Sequence, residues 1–159
     1  VDATPRINYP KVLRPLFIAD VIGAAAKYGC DYFMQFCLND YEGGMGMINE
    51  SDEVNSMYHV FKLYSENFYG DVLETESSIY EVSTYATETE QQYIMVLINK
   101  NSVKLKLKLQ FIPNNKNIVV ETDPYSIYCF KTKKDLSSEV ECLYLTKEYL
   151  EEKNFNLRR

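Results

Sequence analysis

The stretch from Met57 to Glu74, MYHVFKLYSENFYGDVLE, constrains this chain most, because a helical period hands over to a strand period within it. Val54, Met57, Tyr58, Phe61, Tyr64 and Phe68 follow the three-and-four spacing of a helix with one apolar face. Past Tyr69-Gly70-Asp71 the pattern changes, and from Ile79 onward the chain reads as short strands separated by turns. The sequence therefore predicts an α+β chain in three parts. Residues 1–70 form an α/β segment, 71–134 an antiparallel β-sandwich, and 135–159 an extension that adds a strand and a helix.

The strand half is the more explicit. Tyr93 to Ile98, YIMVLI, is dense and apolar, and Asn99-Lys100-Asn101-Ser102 supplies turn residues after it. Val103, Leu105, Leu107, Leu109 and Phe111 then alternate strictly with Lys104, Lys106, Lys108 and Gln110, so one face is core and the other solvent. The lysine row reads as a solvated face or as edge protection against strand pairing, in preference to an anion-binding stripe. Ile118 to Glu121 and Tyr125 to Lys131 add two further strands, and Glu139 to Leu145 and Thr146 to Lys153 give the strand and helix of the extension.

In the first half, Pro15 suits the first turn of a helix and Gly29 the left-handed position just past its end. Between them Ala19, Ile22, Gly23 and Ala26 make a stripe of small and apolar residues. An interior Gly costs about 1 kcal/mol against Ala, so Gly23 points to close packing. Asp31 to Leu38, DYFMQFCL, is apolar on both faces and of strand length, which predicts a parallel strand covered on both sides. Asn39 to Glu53 follows as a glycine-rich loop without the spacing of a dinucleotide fingerprint. Ser51, Asp52 and Asn55 are the candidate caps of the helix over Val54–Asn67.

Composition excludes several classes. A net charge of -6 argues against a nucleic-acid partner, whose affinity needs clustered Lys and Arg. The longest uncharged apolar run, Pro15 to Ala26 broken by Asp20, is too short to span a bilayer. Cys30, Cys37, Cys129 and Cys142 form no CxxC pair and have no His at ligand spacing, which argues against a structural zinc site; the thiols read as free and mostly buried, a disulfide between distant pairs stays open, and no cofactor is expected. His59, the only histidine, has no nucleophile motif with it and reads as structural. The chain begins at Val1 rather than Met, which reads as a processed chain or an excerpt of a longer one.

The order ADVIGAAAKYGCDYFMQF, a loop, MYHVFKLYSENFYGDVLE, YIMVLINKN and DPYSIYCF resembles the C-terminal portion of clan A glycoside hydrolases, most closely family 44 and less closely families 51 and 39. The correspondence runs from about Ala19 to Phe130. It implies that Pro15–Tyr28, Asp31–Leu38 and Val54–Asn67 are the last helix, strand and helix of a TIM barrel, followed by an accessory sandwich. Both catalytic carboxylates of such enzymes would then precede Val1, and no catalytic residue is assigned in this chain. Loops at the carboxyl end of the last strand reach the sugar, so the resemblance implies carbohydrate contacts from Gln35, Phe36, Asn39, Asp40 and Tyr41. Phe36 or Tyr41 stands in for the tryptophan that related enzymes place there, since this chain has none. Two other readings stay open: a carbohydrate-binding module with tyrosines on its outer face, and a structural domain docking on a missing partner such as the upstream barrel.

Overall fold

The computed structural model describes residues 12–35, 37–39, 46–49, 51–112, 115–135 and 140–151. Helix α1 (Leu13–Lys27) carries Pro15 in its first turn, where the missing N–H breaks no helical bond. At the far end Gly29 adopts φ +72°, its N–H donates to the Ala26 carbonyl at 3.2 Å, and the Cys30 N–H donates to Ala25 at 2.8 Å. These two bonds close the helix in a Schellman motif. Helix α2 (Ser56–Asn67) is capped by the third of the three candidates, as the Asn55 side chain accepts from the Met57 N–H at 2.9 Å. The helices lie against each other, and the buried Tyr64 hydroxyl donates to the Ala19 carbonyl at 2.7 Å.

Seven strands follow: β1 (Asp71–Leu73), β2 (Val82–Glu88), β3 (Gln92–Asn99), β4 (Leu105–Phe111), β5 (Lys116–Thr122), β6 (Ser126–Lys133) and β7 (Glu141–Leu145). Five make one antiparallel sheet in the order β1-β2-β3-β6-β7, while β4 and β5 pair only with each other. A short helix α3 (Lys147–Glu151) closes the described chain. Alternation then sorts the side chains into two cores. Ile94, Val96, Ile98, Ile127, Cys129 and Leu145 meet α1 and α2 through Leu16, Ala19, Met57 and Val60. On the opposite face Leu97, Tyr128 and Phe130 meet Leu107 of the β4–β5 hairpin. The central strand β3 is covered on both sides, which is why its sequence is so dense in apolar residues.

Gly23 of α1 faces the Tyr85 ring of β2. A Cβ there would stand 2.1 Å from the Tyr85 ring, so the expected close approach is real. Overpacking costs about 1–3 kcal/mol, against about 1 kcal/mol gained in helix propensity. Gly23→Ala is therefore expected to lower stability by about 1 kcal/mol in urea unfolding. A stabilised variant would show that the Tyr85 ring swings clear.

The strand expected at Asp31–Leu38 is not there. Its described residues are irregular, with Tyr32 85% and Met34 90% exposed, and the ladder contact nearest them is an isolated bridge from Asn39 to Ile48. A strand needs a partner strand at its edge, and among the described residues this segment has none beyond that one bridge. Phe33 instead stacks on Phe61 of α2, with ring centroids 5.9 Å apart. Asn99 and Lys100 also differ from expectation. Asn99 still belongs to β3 and is fully buried, and Lys100, the first residue after the strand, is ion-paired.

Candidate functional site

Of the five residues expected to contact sugar, Gln35 and Asn39 lie half-buried in the connection between α1 and α2, and Phe36, Asp40 and Tyr41 fall outside the described residues. Asn39 is fixed through its backbone, where its carbonyl accepts from the Cys37 thiol at 2.9 Å and its bridge pairs it with Ile48. Downstream, the Asn49 side chain accepts from the Ser51 and Glu53 N–H groups at 2.9 and 3.0 Å, folding the end of the loop onto the α2 cap. Residues 46–49 and 51–55 thus form a collar before α2.

His59 sits half-buried on α2, edge-on to the Tyr58 ring at 5.5 Å. Burial, then the nearby Lys62 charge, lower its pKa, which favours the neutral ring. All four cysteines are free. Burial pushes the Cys129 thiol up to about 12 and the Cys142 thiol up to about 11, so neither offers a thiolate. Among the described residues no group of three His, Cys, Asp or Glu is placed to hold a metal ion.

A cluster of ionisable and hydroxyl groups lies between α1 and the β2–β3 pair. Asp20 on α1 accepts from the Tyr85 hydroxyl at 2.6 Å and from the Lys100 ammonium at 2.8 Å, and Lys100 also donates to Ser83 Oγ at 2.8 Å. Burial raises the Asp20 pKa, but the hydrogen bonds from Lys100, Ser83 and Tyr85 outweigh it, and the net shift is downward. Burial, followed by the Asp20 carboxylate, raises Tyr85 well above the usual phenol range. A Ser beside a Lys is the composition of a nucleophile and its base, yet this ammonium is committed to a carboxylate and gives its protons to Ser83 rather than taking one. The cluster is a polar latch that ties a helix to two strands.

The latch makes a direct prediction. A carboxyl with a lowered folded pKa stabilises the fold above its unfolded value, near 3.8, and that contribution is lost as pH falls through the folded value. Asp20→Asn is expected to cost about 1–2 kcal/mol at neutral pH and to flatten the acid limb of stability below about pH 4. An unchanged acid limb would move the responsible carboxylate elsewhere.

Beside the latch an open groove of about 170 Å³ runs between the last turn of α1 and β2, lined by Lys27, Tyr28, Thr75, Ser77, Ser83 and Thr84 among others. Lys27 Nζ crosses it to the Thr75 carbonyl at 2.6 Å. The outer face of β4 carries Lys106, Lys108 and Gln110, all exposed, whereas Tyr128, Phe130 and Tyr144 turn inward and stack at 5.7 Å. Sequence reasoning missed the latch because Asp20 and Lys100 lie far apart in the chain, and the groove because its hydroxyls are scattered over three segments. Among the described residues no helix is long and apolar enough to cross a membrane. No protein-family model matches the chain, and no curated protein matches it significantly.

Proposed function

We propose that this chain is the closing part of a (β/α)8 glycoside hydrolase together with its accessory β-sandwich. The observation that carries this reading is the segment between the two helices. Tyr32, Met34 and Leu38 are 85%, 90% and 63% exposed, an unusual density of apolar surface on one short run. In a barrel the same run would be the last strand, paired on both sides by strands that precede Val1. The antiparallel unit after Gly70 then serves as the sandwich, with the five-stranded sheet and the β4–β5 hairpin as its two layers. Tyr128 and Tyr144, turned inward, and the lysines on the outer face of β4 support this structural part over a flat carbohydrate-binding platform on that face.

The test is the intact mass of the natural gene product together with its hydrolysis of aryl glycosides and soluble glucans. A product much longer than 159 residues that turns over these substrates is the expected result, and places the two carboxylates upstream. A mature product of this length without turnover overturns the reading.

A further inference from the structure

We propose that the groove between the last turn of α1 and β2 is a non-catalytic binding site for a neutral oligosaccharide, with the Tyr28 ring as its stacking face. The inference is made from the groove itself and stands apart from the barrel reading. Tyr28 is 82% exposed, yet its backbone is not free: it is the helix C-cap, its N–H donates to the Ala24 carbonyl at 2.9 Å, and the Schellman bonds of Gly29 and Cys30 follow directly. A rigid backbone that presents a large aromatic ring to water spends apolar exposure without the entropy cost of ordering a loop on binding.

The floor is fixed as well. Ser83 and Tyr85 are held by the β2–β3 ladder and by the Asp20–Lys100 latch, and Tyr85 is wedged against Gly23. The far wall is Thr75 and Ser77, whose hydroxyls are already turned to the carbonyls of Thr84 and Ile79. Such a site changes little when filled.

Charge and polarity choose the ligand class. An apolar ligand is disfavoured by a lining of hydroxyls, backbone and one ammonium. An anion is disfavoured because the groove lies at the carbonyl end of α1, where the partial charge is negative, and Lys27 already offsets that end. A neutral polyol needs both donors and acceptors at close spacing, and a pyranose adds an apolar face for an aromatic ring. Lys27 has three donors and spends one on the Thr75 carbonyl, the Thr75 hydroxyl that donates to the Thr84 carbonyl can still accept, and Tyr28 supplies the ring.

The test titrates the 159-residue chain with cellohexaose, xylohexaose and mannohexaose, followed by two-dimensional amide NMR and calorimetry. Millimolar binding of at least one is expected, with shifts concentrated on Lys27, Tyr28, Ser83 and Thr84. Tyr28→Ala is expected to weaken it by about tenfold or more, Tyr28→Phe to retain it, and Tyr80→Ala, at a 94% exposed ring outside the groove, to leave it unchanged. Because the Tyr28 ring is exposed, the Ala variant keeps the fold, and its amide spectrum verifies that. No binding of any of the three, shifts centred elsewhere, or unchanged affinity in Tyr28→Ala would overturn the proposal. The readout is binding by this chain, so it is separable from whether a longer product hydrolyses glycosides.

Discussion

Asn99→Ala is expected to lower the unfolding free energy by about 3 kcal/mol, the largest loss from any single truncation of a polar side chain here. The Asn99 amide is fully buried where β3 ends. Its Nδ2 reaches the Asp123 carbonyl at 2.8 Å and Thr122 Oγ1 and the Val103 carbonyl at 3.2 Å, while its Oδ1 accepts from the Asn101 N–H at 2.9 Å. One side chain thus satisfies backbone on both sides of the hairpin. Truncation leaves carbonyls and an N–H without it in a dry site, and each orphan costs about 1–3 kcal/mol unless water enters. Thr122→Val removes only one of these contacts and should cost about 1 kcal/mol. Urea unfolding of both variants checks the ranking, and an Asn99→Ala loss below about 1 kcal/mol would mean that water replaces the amide.

Gly70→Ala is the second large effect, at about 3 kcal/mol in the same assay. Gly70 joins α2 to β1 with φ +104°, a conformation that residues with a Cβ rarely adopt. A Cβ would also stand 2.2 Å from the Glu88 carbonyl oxygen and 2.9 Å from its carbon. Backbone cannot swing aside as a side chain does, and Glu88 is paired in register with Asp71, so relief requires β1 to leave β2. Loss of the β1 amides' protection from hydrogen exchange should accompany the loss of stability. A variant as stable as the parent, with β1 still protected, would count against this strained joint.

The point where helix gives way to sheet was legible for this reason: periodicity changes at a residue that backbone geometry makes special. Most of the apolar face of α2 and the alternation of β4 were legible too, since each is buried on one side, although Val54 lies before α2 and Tyr58 is exposed on it. Strand β1 was not, being three residues long with two of them exposed. The Asp31–Leu38 run misleads because composition measures apolarity and not pairing. Asn99 and Lys100 mislead in the opposite sense, since a polar pair after an apolar strand has the signature of a turn. Their partners, Asp123 and Asp20, are identified only by the fold. Of the expected sugar-contact set, Gln35 was expected on a strand that is not there, and it lies with Asn39 in the connection between α1 and α2, while the latch and the groove arise from segments that no local window joins.

The hairpin has a kinetic consequence. Asn99 and Ser126 are opposite each other on the β3–β6 ladder, so the whole of β4 and β5 is inserted between two residues on one rung. Closing β3 onto β6 through an unstructured loop would carry the full entropy of that loop. Once β4 and β5 zip together locally, the connection becomes a short splint and the central pair can form as though its strands were near neighbours in sequence. The order of events should then run from hairpin to central pair to the docking of the helices, and weakening the β4–β5 contact should slow folding more than it speeds unfolding.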